Sequence, residues 1–246
     1  MEFFAEHIRD LSEASENRGI FTFSHFLTLD EQSVLLSMSH SLCPFSLFGG
    51  AEGCERVIAR FGSPQELGWE EPFPIACVGI TPKNERFADE LSHRDVLGAV
   101  MSLGLEREQT GDIAVVGKHA FVFVNAGKAD YICSELTKIK HTDVRCEITE
   151  FDAEEPLYKT EACSVIASSD RLDCVACAVY DLSRSAALPL FEGGRVFING
   201  RVCQSPSAHA KIGDIISVRG RGRFRFLGET ARTKKGRLVL LIEKFV

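Results

Sequence analysis

The chain has 246 residues, 45% of them hydrophobic, a mean hydropathy of +0.01 and a formal net charge of −7. That balance excludes disordered and fibrous classes, and no apolar run reaches the roughly 18–20 residues of a membrane span. The length suits one large domain or two to three small ones.

Residues 1–70 read as a mostly helical segment. The opening "MEFFAEHIRDLSEASENRG" carries acids and has no basic region leading into an apolar one, so it does not read as a signal peptide. In "FLTLDEQSVLLSMS", Thr28 and Glu31 form a capping box ahead of Val34, Leu35 and Met38. "FSLFGGAEGCERVIARFG" brings paired glycines, a turn and a short apolar segment. "GWEEPFP", with two prolines and no periodicity, has linker character.

Residues 73–152 change pattern to short strands alternating with helices. "PIACVGI" is a buried strand, and "LSHRDVLGAVMSLG" is a helix capped by Ser92 and stopped by Gly104. "DIAVV" and "HAFVFVN" are strands across the turn "GK"; a helix through "KADYICSELTK" and a strand around "DVRCEI" follow. The order β-α-β-β-α-β predicts a ferredoxin-like α+β domain. "TEFDAEEPLYKTEACSVIAS" reads as a charged extended connection. In residues 168–246, "RLDCVACAVYD" and "SRSAALPLFEGG" predict two short helices, and "RVFING", "DIISVRG", "RFRFLGE" and "RLVLLIEKFV" predict strands.

Charge is unevenly spread along this order. From Arg171 to Val246 there are 14 Lys and Arg against 6 Asp and Glu, while the other 170 residues hold 14 against 29. A basic C-terminal third on an acidic body is the footprint of a nucleic-acid-binding module joined to something else. Nine cysteines without framework spacing suit free thiols in a reducing, cytoplasmic setting.

The basic third has one focus. Arg219, Arg221, Arg223 and Arg225 fall within seven residues, interleaved with Gly220 and Gly222. Like charges this close repel, so the loop calls for a compensating anion, and phosphate fits guanidinium by charge and geometry. Ser183 caps a helix that begins at Arg184, a second anion-binding end. Asn199-Gly200 makes a tight turn, and Gly213-Asp214 another.

"RLD", "SRS", "GGRVFING" and "KIGDIISVRGRGRF", in this order, resemble the S4-type (αL) RNA-binding domain. The resemblance implies RNA contacts at Arg171, Ser183, Arg184, Arg195, Arg201, Arg219, Arg221 and Arg223, to which Arg225, Lys234 and Lys235 are added as neighbouring basic residues. Together with "FLTLDEQ", "FGGAEGCER", "LSHRDVLGAVMSLGLEREQTGDIAV", "LTKI" and "RTKKGRLVLLIEKFV", nearly the whole chain is similar to the bacterial YlmH family. That resemblance implies an N-terminal segment, an RRM-like middle domain and a C-terminal S4-type domain. It also implies a partner in the large ribosomal subunit carrying stalled peptidyl-tRNA, and a role in ribosome-associated quality control. Two positions depart from the pattern. Ala186 stands where such domains often carry lysine, and Pro189 falls inside the second helix, where a proline costs roughly 3 kcal/mol. The helix is therefore expected to be bent or broken around Leu188-Pro189.

Other signals compete with plainer readings. The "RLD" of Asp173 also occurs in pseudouridine synthases, but the Thr/Ser-Gly element that follows there is missing, which leaves a first-turn acid. Cys174 and Cys177 form a CxxC with Cys203 and His209 downstream; no second pair completes a zinc set, and cysteines at i, i+3 are ordinary core residues. "HAFVFVN" partly matches the RNP1 strand, with His119 where a stacking aromatic would stand; Phe121 and Phe123 fit a sheet core better. His93, Arg94 and Asp95 in "SHRD" come with no nucleophile motif or Gly-rich cofactor loop and are expected to cap a helix or contact a neighbour.

The expected protein is an RNA-binding, non-enzymatic α+β chain with no cofactor, metal or small-molecule substrate and no membrane contact. It is expected to be monomeric, with ribosomal RNA and tRNA as its partners. The rival readings are an RNA-modifying enzyme, which needs a catalytic constellation, and a cell-division or assembly scaffold acting through its acidic portions.

Overall fold

In the computed structural model, which describes residues 2–151, 158 and 160–245, the chain opens on helix α1 (Glu2–Arg18). Its Phe4, Ile8 and Leu11 recur at helical spacing and pack with Leu27, Leu35 and Phe61. Strand β1 (Thr22–Phe23), helix α2 (Leu29–Ser37), strands β2 (Phe45–Phe48) and β3 (Ile58–Phe61) and the short helix α3 (Pro64–Leu67) follow. Thr28 and Glu31 close the capping box at the start of α2: the Thr28 N–H donates to Glu31 Oε2 at 2.7 Å. The strands form an antiparallel sheet in the order β1-β3-β2.

Besides its helices the N-terminal segment holds this three-stranded sheet, two of whose strands lie in "FSLFGGAEGCERVIARFG". All four residues of β3 are buried, so the strand has no inside-outside alternation to be read. Nor is "GWEEPFP" a loose linker. Arg60 donates to the Glu71 carbonyl at 2.6 Å, and Trp69 and Phe73 meet Phe21 and Phe23 edge-on.

Strand β4 (Ile75–Pro82), helix α4 (His93–Ser102), strands β5 (Thr110–Val116) and β6 (His119–Asn125), helix α5 (Ala126–Glu135) and strands β7 (Lys138–Ile139) and β8 (Thr142–Thr149) build the next layer. Their antiparallel sheet runs β5-β6-β4-β8-β7, with α4 and α5 on one face. Val96 and Val100 of α4 and Ala129 and Ile132 of α5 pack there on Val78, Ile80, Ile113, Val122 and Val124. Residues 49–56 and Phe26 lie over the other face. A Cβ on Gly50, whose φ is +107°, would stand 2.2 Å from the Phe123 ring, so that approach needs a glycine. Asp112 accepts the Glu55 and Arg56 N–H groups, and Arg56 donates to the carbonyls of Phe26 and Thr110 at 2.8 and 3.0 Å. This is the structural work of "FGGAEGCER".

The described residues divide into two compact units, Met1–Leu157 and Tyr158–Val246. Part of the expected charged connection, residues 152–157 and 159, lies outside the described residues. Its end is not a connection: Thr160–Ala167 is strand β9. Helices α6 (Leu172–Tyr180) and α7 (Arg184–Glu192) follow, then strands β10 (Val196–Ile198), β11 (Arg201–Val202), β12 (Ile215–Val218), β13 (Gly222–Arg232) and β14 (Leu238–Phe245). These strands form one antiparallel sheet, β11-β10-β12-β13-β14-β9, in which β9 pairs with β14 over eight residues. Leu172, Val175 and Val179 of α6 and Phe191 of α7 pack on its inner face against Ile216, Val218, Phe224, Phe226, Leu240 and Ile242.

Helix α7 runs unbroken through Pro189, so the expected break is absent. Ser185, whose carbonyl loses its N–H partner, and Pro189 itself are both exposed, so water can satisfy that carbonyl. The Pro189 carbonyl still accepts the Gly193 N–H at 3.0 Å. No described helix is long and apolar enough to cross a membrane.

Candidate nucleic-acid interface

The expected RNA-contacting residues fall into distinct groups. At the start of α6, Arg171 clamps Asp173 with two hydrogen bonds, Nε to Oδ1 at 3.1 Å and Nη2 to Oδ2 at 2.9 Å. Asp173 is buried and also accepts the Cys174 N–H at 2.9 Å. Burial alone would raise its pKa, but the bonds from Arg171 and Cys174 outweigh burial and hold the carboxyl below its ordinary value. Asp173 is therefore a helix-start anchor with both oxygens engaged. The Leu172 and Asp173 N–H groups donate to the carbonyls of Ala208 and Pro206, which closes this helix end to an anion.

The start of α7 is different. Ser183 caps it by accepting the Ala186 N–H at 3.2 Å, and residues 183–186 are all exposed. Arg184 reaches back to Ser168 Oγ at 3.1 Å and Cys174 Sγ at 3.3 Å, lying along α6. The break between α6 and α7 turns the chain by 118°.

The arginine loop is the three-residue connection between β12 and β13. Arg219 donates its N–H to the Arg195 carbonyl at 2.9 Å, and Arg195 Nη2 returns a bond to the Arg219 carbonyl at 3.3 Å. The Arg221 N–H donates to the Val218 carbonyl at 2.9 Å. Gly220 has φ +81° and lies where a Cβ would come within 3.3 Å of the Arg195 guanidinium, so glycine sets this turn. Arg195, Arg219 and Arg221 are exposed, and the backbone bonds bring them together at one end of the sheet. Burial pushes the Tyr180 phenol up, and the charge of Arg221 opposes it, which places Arg221 near the C-terminal end of α6.

Arg223 and Arg225 do not belong to this cluster. They flank Phe224, which points into the core, so both leave the opposite face of the sheet. Arg223 is only 9% exposed and lies between two rings, 3.8 Å from the Tyr158 centroid and 4.3 Å from that of Phe245. Arg225 pairs with Glu243 at 2.9 Å. Arg201 is exposed at the far end of β10 from Arg195, beyond the Asn199-Gly200 turn. Lys234 and Lys235 sit in the β13–β14 turn, separated from the arginine loop by the eleven residues of β13, on the order of 30 Å.

The other candidates have structural roles. Cys174 is buried beneath Arg184, Cys203 donates to the Ser205 carbonyl, and His209 pairs with Asp170 at 2.7 Å. Among the described residues no group of three His, Cys, Asp or Glu could hold a metal. Asp95 closes a capping box with Ser92 and pairs with Lys140 at 2.7 Å; the Lys140 and Ser92 bonds draw its pKa down to about 2. His93 is pushed down by burial and by Arg107, with Asp112 opposing. The pairing of Arg195 with the loop and the stacking of Arg223 both depend on residues distant in sequence. The alternation Arg223-Phe224-Arg225-Phe226 is the one local signal that could have separated the last two arginines from the first two.

Comparison with known proteins fits this architecture. Residues 69–153 match the family described as "Putative RNA-binding domain in YlmH". Over 228 residues, 89% of this chain and 85% of the relative, the sequence is 32% identical to the ribosome-associated protein quality control protein P2 of Bacillus subtilis (strain 168). The chain belongs to the YlmH family. A solved structure, the cell division protein ylmH from Streptococcus pneumoniae, shares the fold with a TM-score of 0.50 at 21% identity, covering 63% of this chain and 94% of that one.

Proposed function

We propose that this protein binds RNA without chemical turnover and acts on the large ribosomal subunit, in quality control of stalled peptidyl-tRNA. In this reading residues 73–152 form an RRM-like domain, and the C-terminal unit is an S4-type RNA-binding domain that begins at Tyr158 rather than Ser168. The observation that carries it is the exposed Arg195–Arg219–Arg221 cluster on a glycine-set hairpin, in a basic segment of an otherwise acidic chain. Arg184 and the exposed start of α7 supply a second bank for the same phosphate backbone. Arg171 holds Asp173, and Arg223 and Arg225 hold the sheet, so these three shape the site rather than touch RNA. The name of the Bacillus subtilis relative supports the ribosomal assignment and, with it, a cytoplasmic place of work. Ultraviolet cross-linking in cells tests the reading. Large-subunit ribosomal RNA and tRNA should dominate the RNA recovered, and recovery of messenger RNA alone, or of none, would overturn it.

A further inference from the structure

The middle sheet's second face is not available to stack bases. Phe123 is 1% exposed beneath Gly50, and Phe151 packs edge-on against both Phe121 and Phe123 at 5.3 and 5.4 Å. The most exposed aromatic among the described residues of this region lies elsewhere: Phe87, 77% exposed, at the tip of the single turn Glu85–Phe87 between β4 and α4. The turn is braced from several sides. Asn84 Oδ1 accepts the Arg86 N–H at 3.1 Å, Lys118 Nζ donates to the Glu85 carbonyl at 2.8 Å, and His119 pairs with the Glu85 carboxylate at 2.6 Å. The Leu91 N–H donates to the Gly117 carbonyl at 3.3 Å, tying the loop to the β5–β6 hairpin.

Cations flank the ring. The Arg86 guanidinium lies 5.7 Å from the Phe87 centroid. Among the described residues no carboxylate pairs with Lys83, Arg86 or Lys118; of the nearby acids Glu85 pairs with His119 and Asp95 with Lys140, Asp89 accepts the His141 N–H at 3.4 Å, and Glu90 is exposed. An exposed ring on a braced turn, with Arg86 beside it and Lys118 at the turn's base, suits a base and its flanking phosphates.

We propose that this tip is a single-stranded RNA contact in which Phe87 stacks on a base and Arg86 and Lys118 take the adjoining phosphates. The proposal rests on the RNA-binding reading above and moves the middle domain's contact from its sheet to its loop edge.

The test measures binding of the full chain to labelled oligouridylate and to purified ribosomal RNA. Phe87→Ala should weaken oligouridylate binding about five- to a hundredfold, and Phe87→Trp should retain it. An Arg86→Ala/Lys118→Ala variant should flatten the log-log salt dependence by about 1.4, at about 0.7 per single-strand phosphate contact. All three positions are exposed or peripheral, and an unchanged circular dichroism spectrum establishes that each variant folds. Unchanged binding by Phe87→Ala, as expected if the ring meets a protein instead, overturns the proposal, and so does a Phe87→Trp variant as weak as Phe87→Ala. If the parent chain binds ribosomal RNA through Arg219 and Arg221 while the Phe87 variants are indifferent, this contact alone fails. If the parent binds neither RNA, the functional reading fails and takes this one with it.

Discussion

In β13 the side chains of Arg223 and Phe224 leave opposite faces of the sheet, while Arg221, two residues earlier, is still in the turn and exposed. One short arginine run is therefore split between an exposed turn and the outer face of the sheet. Arg223, desolvated between Tyr158 and Phe245, contributes cation–π attraction of about 2 kcal/mol. Arg223→Ala should lower the stability of the C-terminal unit by roughly that amount in urea denaturation and leave RNA affinity unchanged. A large loss of affinity in the folded variant would return Arg223 to the binding surface. Asp173 carries a pH signature. Its folded pKa lies below the ordinary value of 3.8, so its stabilisation is complete above that value and is lost as pH falls through the lowered one. Asp173→Asn should destabilise the protein at neutral pH and remove this part of the acid sensitivity. Equal acid sensitivity in the variant, followed by circular dichroism, would show that the Arg171 clamp does not hold the helix start.

Two elements decide how the C-terminal unit stands. Strand β9 covers the edge of β14 over eight residues, so a fragment beginning at Tyr158 should fold, whereas one beginning at Ser168 exposes that edge and should aggregate or lose cooperativity. A cooperative, monomeric 168–246 fragment would contradict this. In α7, Pro189→Ala restores the N–H bond to the Ser185 carbonyl and should raise stability by at least about 1 kcal/mol; a thermal melt checks it. These elements also mark what the sequence could show. The caps at Thr28–Glu31 and Ser92–Asp95 and the turn at Asn199–Gly200 were legible because each is set by residues within four of one another. Strand β9 was not, because "TEACSVIA" is an exposed edge whose pairing depends on Leu238–Phe245, more than seventy residues on. Pro189 misled because a lost bond and a ring clash make a helix costly without forbidding it, and here the unbonded Ser185 carbonyl is open to water. The site was legible in part: the glycine-spaced arginines announced the hairpin, but their sorting between turn and sheet depended on Tyr158 and Phe245.

At the scale of the whole molecule, 14 Lys and Arg stand against 6 acids from Arg171 onward, and the reading proposed above puts the anionic partner there. Phosphate contacts position a protein without reading sequence, so affinity for structured RNA should be broad, with a steep salt dependence. Selectivity for a particular ribosomal element would then come from the combined geometry of several contacts rather than from the arginine hairpin alone. The salt dependence of ribosomal RNA affinity in an Arg219→Glu/Arg221→Glu variant tests the central claim most directly. Both side chains are exposed in a turn, so the fold should survive. Affinity should fall for all RNAs alike, and the log-log slope should flatten by about 1.4–1.8, at about 0.7–0.9 for each lost phosphate contact. A folded double variant with unchanged affinity and slope would contradict the account, leaving the hairpin as a solvated turn.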